Sequence, residues 1–410
     1  MKRFSIIFLG ALAMLMAGCS KDVHTAVTPG DQDLDLNTPV PIQFGVGAPS
    51  TKAGAINTSD DLVGKVIGVF AVDKNAASWS GGAADRSVYL NNEPAYISKD
   101  EENGEVTYSV NFGYSSAGHI TKYYPLLSSE DFTFYGYYTL KGAVDMTATT
   151  GANHITVPVS LGATDVLWAK AEAVDFTIGT GPEAVSYPGY NARYIRALAK
   201  DEIKAQLEQM TFEGARPAMP HFNFKHPTAL INVSVQKIRN EIGGATEQTL
   251  VVNSLSLNNI PSRATLCIAN KEVKEQEGTF IEVLERPAST MMTVNGTGNL
   301  AFEVPLTATE MGSMFIYPQD QNDQDGDGTP ELVEVLTGQM NISVNGAPGQ
   351  VIPFEINPAN MGANHRGFLA GYEYNITIKV HEAIEIEITT EVTSYVDAFG
   401  TTGKNEIVIE

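Results

Sequence analysis

The chain has 410 residues, 43% of them apolar and 18% charged, values that belong to a folded protein long enough for two or three domains. Forty-eight acidic residues against 26 basic ones leave a net charge of −22, which repels nucleic acid and anionic lipid and excludes a nucleic-acid partner. Only two cysteines, Cys19 and Cys267, are present, so packing rather than a disulfide framework must hold the fold.

At the start of the chain, Lys2 and Arg3 precede an apolar core from Phe4 to Gly18, and the small pair Ala17 and Gly18 leads directly into Cys19. The core is too short to stay in a bilayer as a spanning helix. The pattern is a lipobox: residues 1–18 read as a lipoprotein signal peptide, and Cys19 as the acylated first residue of the mature chain, anchored in a bacterial membrane while the rest stays in water. The competing reading is an ordinary secretory signal with Cys19 incidental. No later apolar stretch is long enough to cross a membrane, and Cys267 reads as a buried, inert thiol.

Residues 19–37 are polar and acidic and read as a tether. Over 40–48, Val40, Ile42, Phe44, Val46 and Ala48 alternate with period two, as a half-buried strand requires, and Pro41 points to an edge or first strand. Residues 49–54 have loop composition, and 65–72 form a continuous apolar run expected to be covered on both faces. Further strands are expected at 106–112, 132–140, 155–159, 166–171, 229–236, 250–257, 314–317, 338–344, 372–380 and 384–396. One helix is expected over 192–210, where Ile195, Leu198, Ile203, Leu207 and Met210 share a face opposite Arg196, Lys200 and Lys204. A shift to Gly, Ala and Pro at 214–220 marks a domain boundary. The reading is an all-β protein with β-sandwich domains at 38–217 and 218–396, one amphipathic helix near their junction, and a tail at 397–410.

The order of several segments resembles the fimbrillin family of Bacteroidales, the subunits of type V pili. These segments are 41–54 (PIQFGVGAPSTKAG) followed by KVIGVFAV, then YYPLLSSEDFTFYGYY, DVLWAKA, FNFKHPTALINVSV, MFIYPQ and GYEYNITIKV, all behind the lipobox. The resemblance implies two tandem transthyretin-like β-sandwich domains and export as a lipoprotein to the outer membrane and cell surface. It also implies removal of the first strand by an extracellular maturation protease and polymerisation with other fimbrial subunits by strand exchange. Lys52 falls at the family's processing position, where arginine is common. The removable strand would carry Val40, Ile42, Phe44 and Val46.

Two segments qualify as a strand that could be donated to a neighbour. In 384–396, Ile384, Ile386, Ile388, Val392 and Val396 share one face; the same segment equally suits the last strand of its own sandwich. Ile407, Val408 and Ile409 form a short apolar triplet near the end, readable as a donor or as a frayed terminus.

The sharpest local constellation is an acidic loop in which Asp323, Asp325, Asp327, Glu331 and Glu334 match a calcium-loop template. Pro330 and the extended flanks exclude an EF-hand, leaving a structural calcium loop or a solvated hairpin tip. No other cofactor is implied. Catalytic motifs are missing: there is no G-x-S-x-G elbow, P-loop or H-E-x-x-H, and His221 and His226 lack the cluster that would complete a zinc site, so both read as packing or surface residues. The chain therefore reads as a non-enzyme. The alternative to a fimbrial subunit is a non-polymerising surface lipoprotein that binds glycan or a host ligand through aromatic platforms, drawing on 16 tyrosines. Against it, Trp79 and Trp168 are the only tryptophans, and Tyr123, Tyr124, Tyr135, Tyr137 and Tyr138 lie in strand-rich stretches where packing accounts for them.

Overall fold

The computed structural model describes residues 37–47, 56, 58–126, 130–139, 148–163, 165–238, 249–292, 302–318, 335–356, 367–381 and 386–394. The first part of the chain forms β1 (Phe44–Gly47), α1 (Ser59–Leu62), β2 (Val66–Asp73), β3 (Val88–Glu102), β4 (Glu105–Phe112), β5 (Phe132–Thr139), β6 (Thr149–Thr150), β7 (His154–Ser160), β8 (Val166–Ala171), β9 (Phe176–Ile178), β10 (Val185–Tyr187), α2 (Ala192–Ala199), α3 (Asp201–Gln209) and β11 (His221–Asn223). There follow β12 (Ala229–Ile238), β13 (Leu250–Asn258), β14 (Arg263–Asn270), β15 (Phe280–Glu285), β16 (Ser289–Met291), β17 (Phe302–Glu303), β18 (Thr309–Ile316), β19 (Leu336–Val344), β20 (Gln350–Ile356), β21 (Tyr372–His381) and β22 (Ile386–Ser394). The all-β expectation holds.

Seven strands form one sheet in the order β11-β1-β4-β3-β2-β5-β8, antiparallel throughout except for the parallel pair β1–β11. The sheet curls until its ends meet. Just past β11, Lys225 exchanges both backbone hydrogen bonds with Trp168 of β8, at 3.0 and 2.8 Å. Alternation then sorts the side chains. Ile67, Val69 and Ala71 of β2 point inward with Phe132, Phe134, Leu167 and Ala169, while Phe70 and Val72 point outward with Tyr135, Tyr137 and Trp168. The expectation that the 65–72 run is covered on both faces is therefore met.

The outward apolar face needs a second layer, and the sheet β15-β14-β7-β6 supplies it through Ile155, Val157, Val159, Ala264, Leu266 and Ile268. Two pairings cross position 217/218, where the composition shifts: β11 closes the first sheet, and β14 pairs antiparallel with β7 from Arg263↔Ser160 to Asn270↔His154. Cys267, on β14, is fully buried, and burial together with the Glu277 carboxylate pushes its thiol up to about 12, so it stays protonated at neutral pH.

Beyond this, the sheet β18-β12-β21-β22 faces β16-β13-β19-β20 across a core that includes Ile231, Val233, Leu255, Met340, Phe354 and Ile376. Leu230 and Phe315 point away from that core, and Phe315 exchanges backbone hydrogen bonds with Gly162, joining the sandwich to the layers before it.

The expected single helix is two. Lys200 takes an extended conformation (φ −82°, ψ 129°), its N–H returns to the Ala197 carbonyl, and α3 restarts with Asp201 and Glu202 in its first turn. Carboxylates are stabilised at a helix N-terminus, which favours a fresh start there. Ile195 and Leu198 of α2 and Ile203 and Leu207 of α3 still pack into the barrel core, while Asn191 caps α2 by accepting from the Tyr194 N–H at 2.8 Å.

Gly278 has φ +76°, and a Cβ there would lie 2.5 Å from the Trp168 indole, whose Nε1 donates to the Ile268 carbonyl at 2.9 Å. Gly278→Ala is expected to lower the unfolding free energy by about 2–4 kcal/mol, combining an unfavourable left-handed residue with overpacking. A urea melt followed by tryptophan fluorescence checks this; an unchanged midpoint would mean that the ring moves aside freely.

Candidate strand-exchange site

The first described residues are bound one after another. The Thr38 carbonyl accepts from Arg196 Nη2 at 2.6 Å, and Pro41 pairs with Tyr123 through the bonds of its neighbours, Ile42 N–H to the Lys122 carbonyl (2.8 Å) and Tyr124 N–H to the Val40 carbonyl (2.9 Å). Proline has no N–H to give, and none is asked of it here. The chain then enters the large sheet as β1, with Phe44 and Gly45 opposite Val110 and Ser109 of β4, and Gly45, Val46 and Gly47 beside His221, Phe222 and Asn223 of β11. Of the strand expected over 40–48, the described part is regular only at 44–47, because 40–42 pair with a loop instead of a neighbouring strand; Ala48 lies outside the described residues. Of the two alternatives that Pro41 left open, an edge or a first strand, β1 is the second: it comes first in chain order among the described residues and has a strand on each side.

Of the five side chains expected on the buried face, the four that are described are buried: Val40 is 8%, Ile42 4%, Phe44 3% and Val46 5% exposed. Phe44 is the centre of the group. Its ring stacks on Phe222 at 4.7 Å between centroids and meets Phe134 edge-on at 4.9 Å and Phe112 at 6.1 Å. Taking β1 away would bare the edges of both β4 and β11 and open a slot into the barrel core.

Lys52 lies outside the described residues, as does Cys19. Where description resumes, the chain is firmly held. The Ile56 N–H donates to Asp165 Oδ2 at 2.9 Å and its side chain is buried. Thr58 and Asp61 form a capping box on α1, with Thr58 N–H to Asp61 Oδ2 at 2.8 Å, and Leu62 is fully buried. The Lys99 ammonium, 2.7 Å from Asp60, holds that carboxyl below its usual range. Residues 48–55 therefore connect a strand inserted in the sheet to an independently anchored helix.

Of the other expected sites, the acidic set Asp323, Asp325, Asp327, Glu331 and Glu334 lies outside the described residues, as do Ile384, Val396, Ile407, Val408 and Ile409. Ile386, Ile388 and Val392 fall in β22, opposite Val380, Ile378 and Tyr374 of the same chain, and β22 is the outer strand of its sheet among the described residues. His221 lies exposed on β11, whereas His226 is buried and hydrogen-bonded through Nδ1 to Asp165 Oδ1 at 3.0 Å. Tyr124, Tyr135, Tyr137, Tyr138, Trp79 and Trp168 are buried, leaving Tyr123 exposed among the aromatic residues considered for a ligand platform. Among the described residues no group of three or more His, Cys, Asp or Glu is placed to hold a metal ion, and no helix is long and apolar enough to cross a membrane.

No curated protein matches the sequence. Among solved structures, a provisionally assigned cell adhesion protein of Bacteroides uniformis is 13% identical, with a TM-score of 0.44 and coverage of 87% of this chain and 98% of its own. A fimbrial protein of Bacteroides vulgatus is 12% identical (TM-score 0.43, 86% and 99% covered), and the fimbrial anchor protein Mfa2 of Porphyromonas gingivalis is 11% identical (TM-score 0.30, 87% and 96% covered). The profile described as fimbrillin-like matches residues 55–394, starting just downstream of Lys52. With most of its length so matched, the chain belongs to the fimbrillin-like family and is a structural, non-enzymatic protein of fimbriae.

Proposed function

We propose that the protein is a structural subunit of adhesive fimbriae, carried to the outer membrane by acylation at Cys19, trimmed after Lys52, and polymerised when a strand from a neighbouring subunit takes the place of β1. Its partners are then other fimbrial subunits, the maturation protease and, before trimming, the lipid bilayer. The observation that carries this reading is the position of residues 40–47: they bury four apolar side chains, they enter the sheet between two strands as β1, and a segment of loop composition follows them.

Burying Val, Ile or Phe stabilises by roughly 1.5–3 kcal/mol each, so losing all four removes on the order of 6–12 kcal/mol, an upper figure because unfolded chains are already partly compact. Whole domains are stable by roughly 5–15 kcal/mol. An emptied slot is therefore close to unfolding and gains most of that energy back by accepting another strand with alternating apolar residues and free backbone groups. Before the cut, the slot is filled by a segment of the same chain, at an effective concentration no free competitor matches. Cleavage removes that advantage, which makes assembly depend on proteolysis. Lysine at 52 suits a trypsin-like pocket and is not equivalent to arginine in a site built for a guanidinium.

Trypsin treatment of the soluble chain beginning at Ser20 is expected to give a fragment that starts at Ala53 and then assembles into detergent-resistant, heat-labile oligomers, read by N-terminal sequencing and unheated gels. Lys52→Ala is expected to block both. A trimmed chain that stays monomeric at high concentration overturns polymerisation, and normal trimming of the Lys52→Ala chain removes Lys52 from the scheme.

Phe44→Ala is expected to destabilise the uncut chain by about 3–5 kcal/mol, as large-to-small changes of buried aromatics do. Because Phe44 departs with its strand, polymers formed by the trimmed variant are expected to melt at the wild-type temperature. A lower polymer melting temperature would show that β1 stays in the assembled subunit.

A further inference from the structure

β11 is held from two sides. Along its three residues the ladder partner among the described residues is β1, and on β1's departure Phe222 also loses the ring stacked on it at 4.7 Å. The other attachment is the seam where the sheet closes. There Lys225 pairs with Trp168, and one residue further on, buried His226 meets buried Asp165, the residue preceding β8, with side chains 1% and 7% exposed. A carboxylate offers only acceptors, so His226 Nδ1 carries the proton in their 3.0 Å hydrogen bond. The second oxygen of the same carboxylate takes the Ile56 N–H at 2.9 Å. One buried side chain thus ties together the entry to β8, the exit from β11, and the chain that resumes after the Lys52 segment.

We propose that Asp165 and His226 are positioning residues for strand capture: they keep β11 in place as one wall of the slot, and keep the downstream side of the cut anchored, while β1 is absent. The proposal rests on the strand-exchange reading above and adds to it the element that holds the empty site open. In the uncut chain β11 has both supports, and loss of the pair is partly masked by the β1 ladder. After trimming, the seam is what remains. A three-residue strand with apolar Phe222, followed at once by Phe224, both buried in the barrel core, would otherwise fold into the slot it borders, occupying the space an incoming strand needs.

The test uses the trimmed chain, kept dilute, and a fluorescent peptide of residues 38–50 as the incoming strand. The wild-type trimmed chain is expected to bind it. His226→Phe, which keeps a ring but removes the hydrogen bond, is expected to bind about tenfold more weakly, chiefly through slower association, the size expected from one broken buried hydrogen bond, and Asp165→Ala, which breaks the bonds to both His226 and Ile56, at least as weakly. In the uncut chains the same substitutions are expected to shift the unfolding midpoint much less than Phe44→Ala does. A residue that only stabilised the fold would lower midpoint and binding in parallel, and that outcome overturns the proposal, as does unimpaired capture by both variants. Hydrogen exchange on the wild-type trimmed chain supplies a measurement independent of any substitution: amides at 222–226 are expected to stay protected, and exchange as free as in an unfolded chain rejects the proposal. If the wild-type trimmed chain captures no peptide at all, it is the strand-exchange reading that fails.

Discussion

The stacking of Phe44 on Phe222, inside a ring of aromatic residues contributed by β4 and β5, is the contact on which the barrel depends. A sheet that closes on itself gains by having no exposed edge, because unpaired backbone groups buried or left at an edge are costly or adhesive. Here the closure is completed by a segment of four regular residues that ladders with a strand on each side and buries Phe44 and Val46 in the core. Such a segment adds much to stability through a few buried rings and aliphatic side chains, on top of backbone bonds made on both of its sides.

The surroundings of the strand are unequal. Upstream, contacts to Lys122, Tyr123 and Tyr124 are made by a loop, and Arg196 reaches the backbone at Thr38. Downstream, Ile56, the Thr58 capping box, Asp60 and Leu62 fasten the chain to the body of the protein within a few residues. A break between these two regions separates a piece held by one strand's worth of interactions from a piece integrated into the core.

The parts of this arrangement visible in the sequence were those carried by periodicity. Val40, Ile42, Phe44 and Val46 announce a buried face by alternation alone, and the uninterrupted run at 65–72 announces a strand enclosed on both sides; both are so. β3 was missed because Asn91, Asn92, Glu93 and Pro94 disguise it, although Asn103-Gly104, with φ of 56° and 80°, is the residue pair a two-residue hairpin turn demands and marks its end. The break at Lys200 is invisible to periodicity, because the apolar helical pattern continues across it. No sequence signal could have joined Asp165 to His226: each lies in a stretch that carries the family resemblance, but only closure of the sheet brings β8 beside the end of β11.

The layer formed by β7 and β14 has a bearing on biogenesis. Its two strands are separated by about a hundred residues of chain, and β14 helps cover the outer face of β2, β5 and β8. A nascent chain therefore cannot finish its leading barrel while that barrel is being synthesised or threaded through a translocation channel; Phe70, Tyr137 and Trp168 remain uncovered until residues 263–270 have emerged. Non-local pairing of this kind is intrinsically slow to form. For a chain exported as proposed above, crossing a membrane in an extended state would thereby be favoured kinetically, with the leading barrel closed over only after residues 263–270 have followed it across.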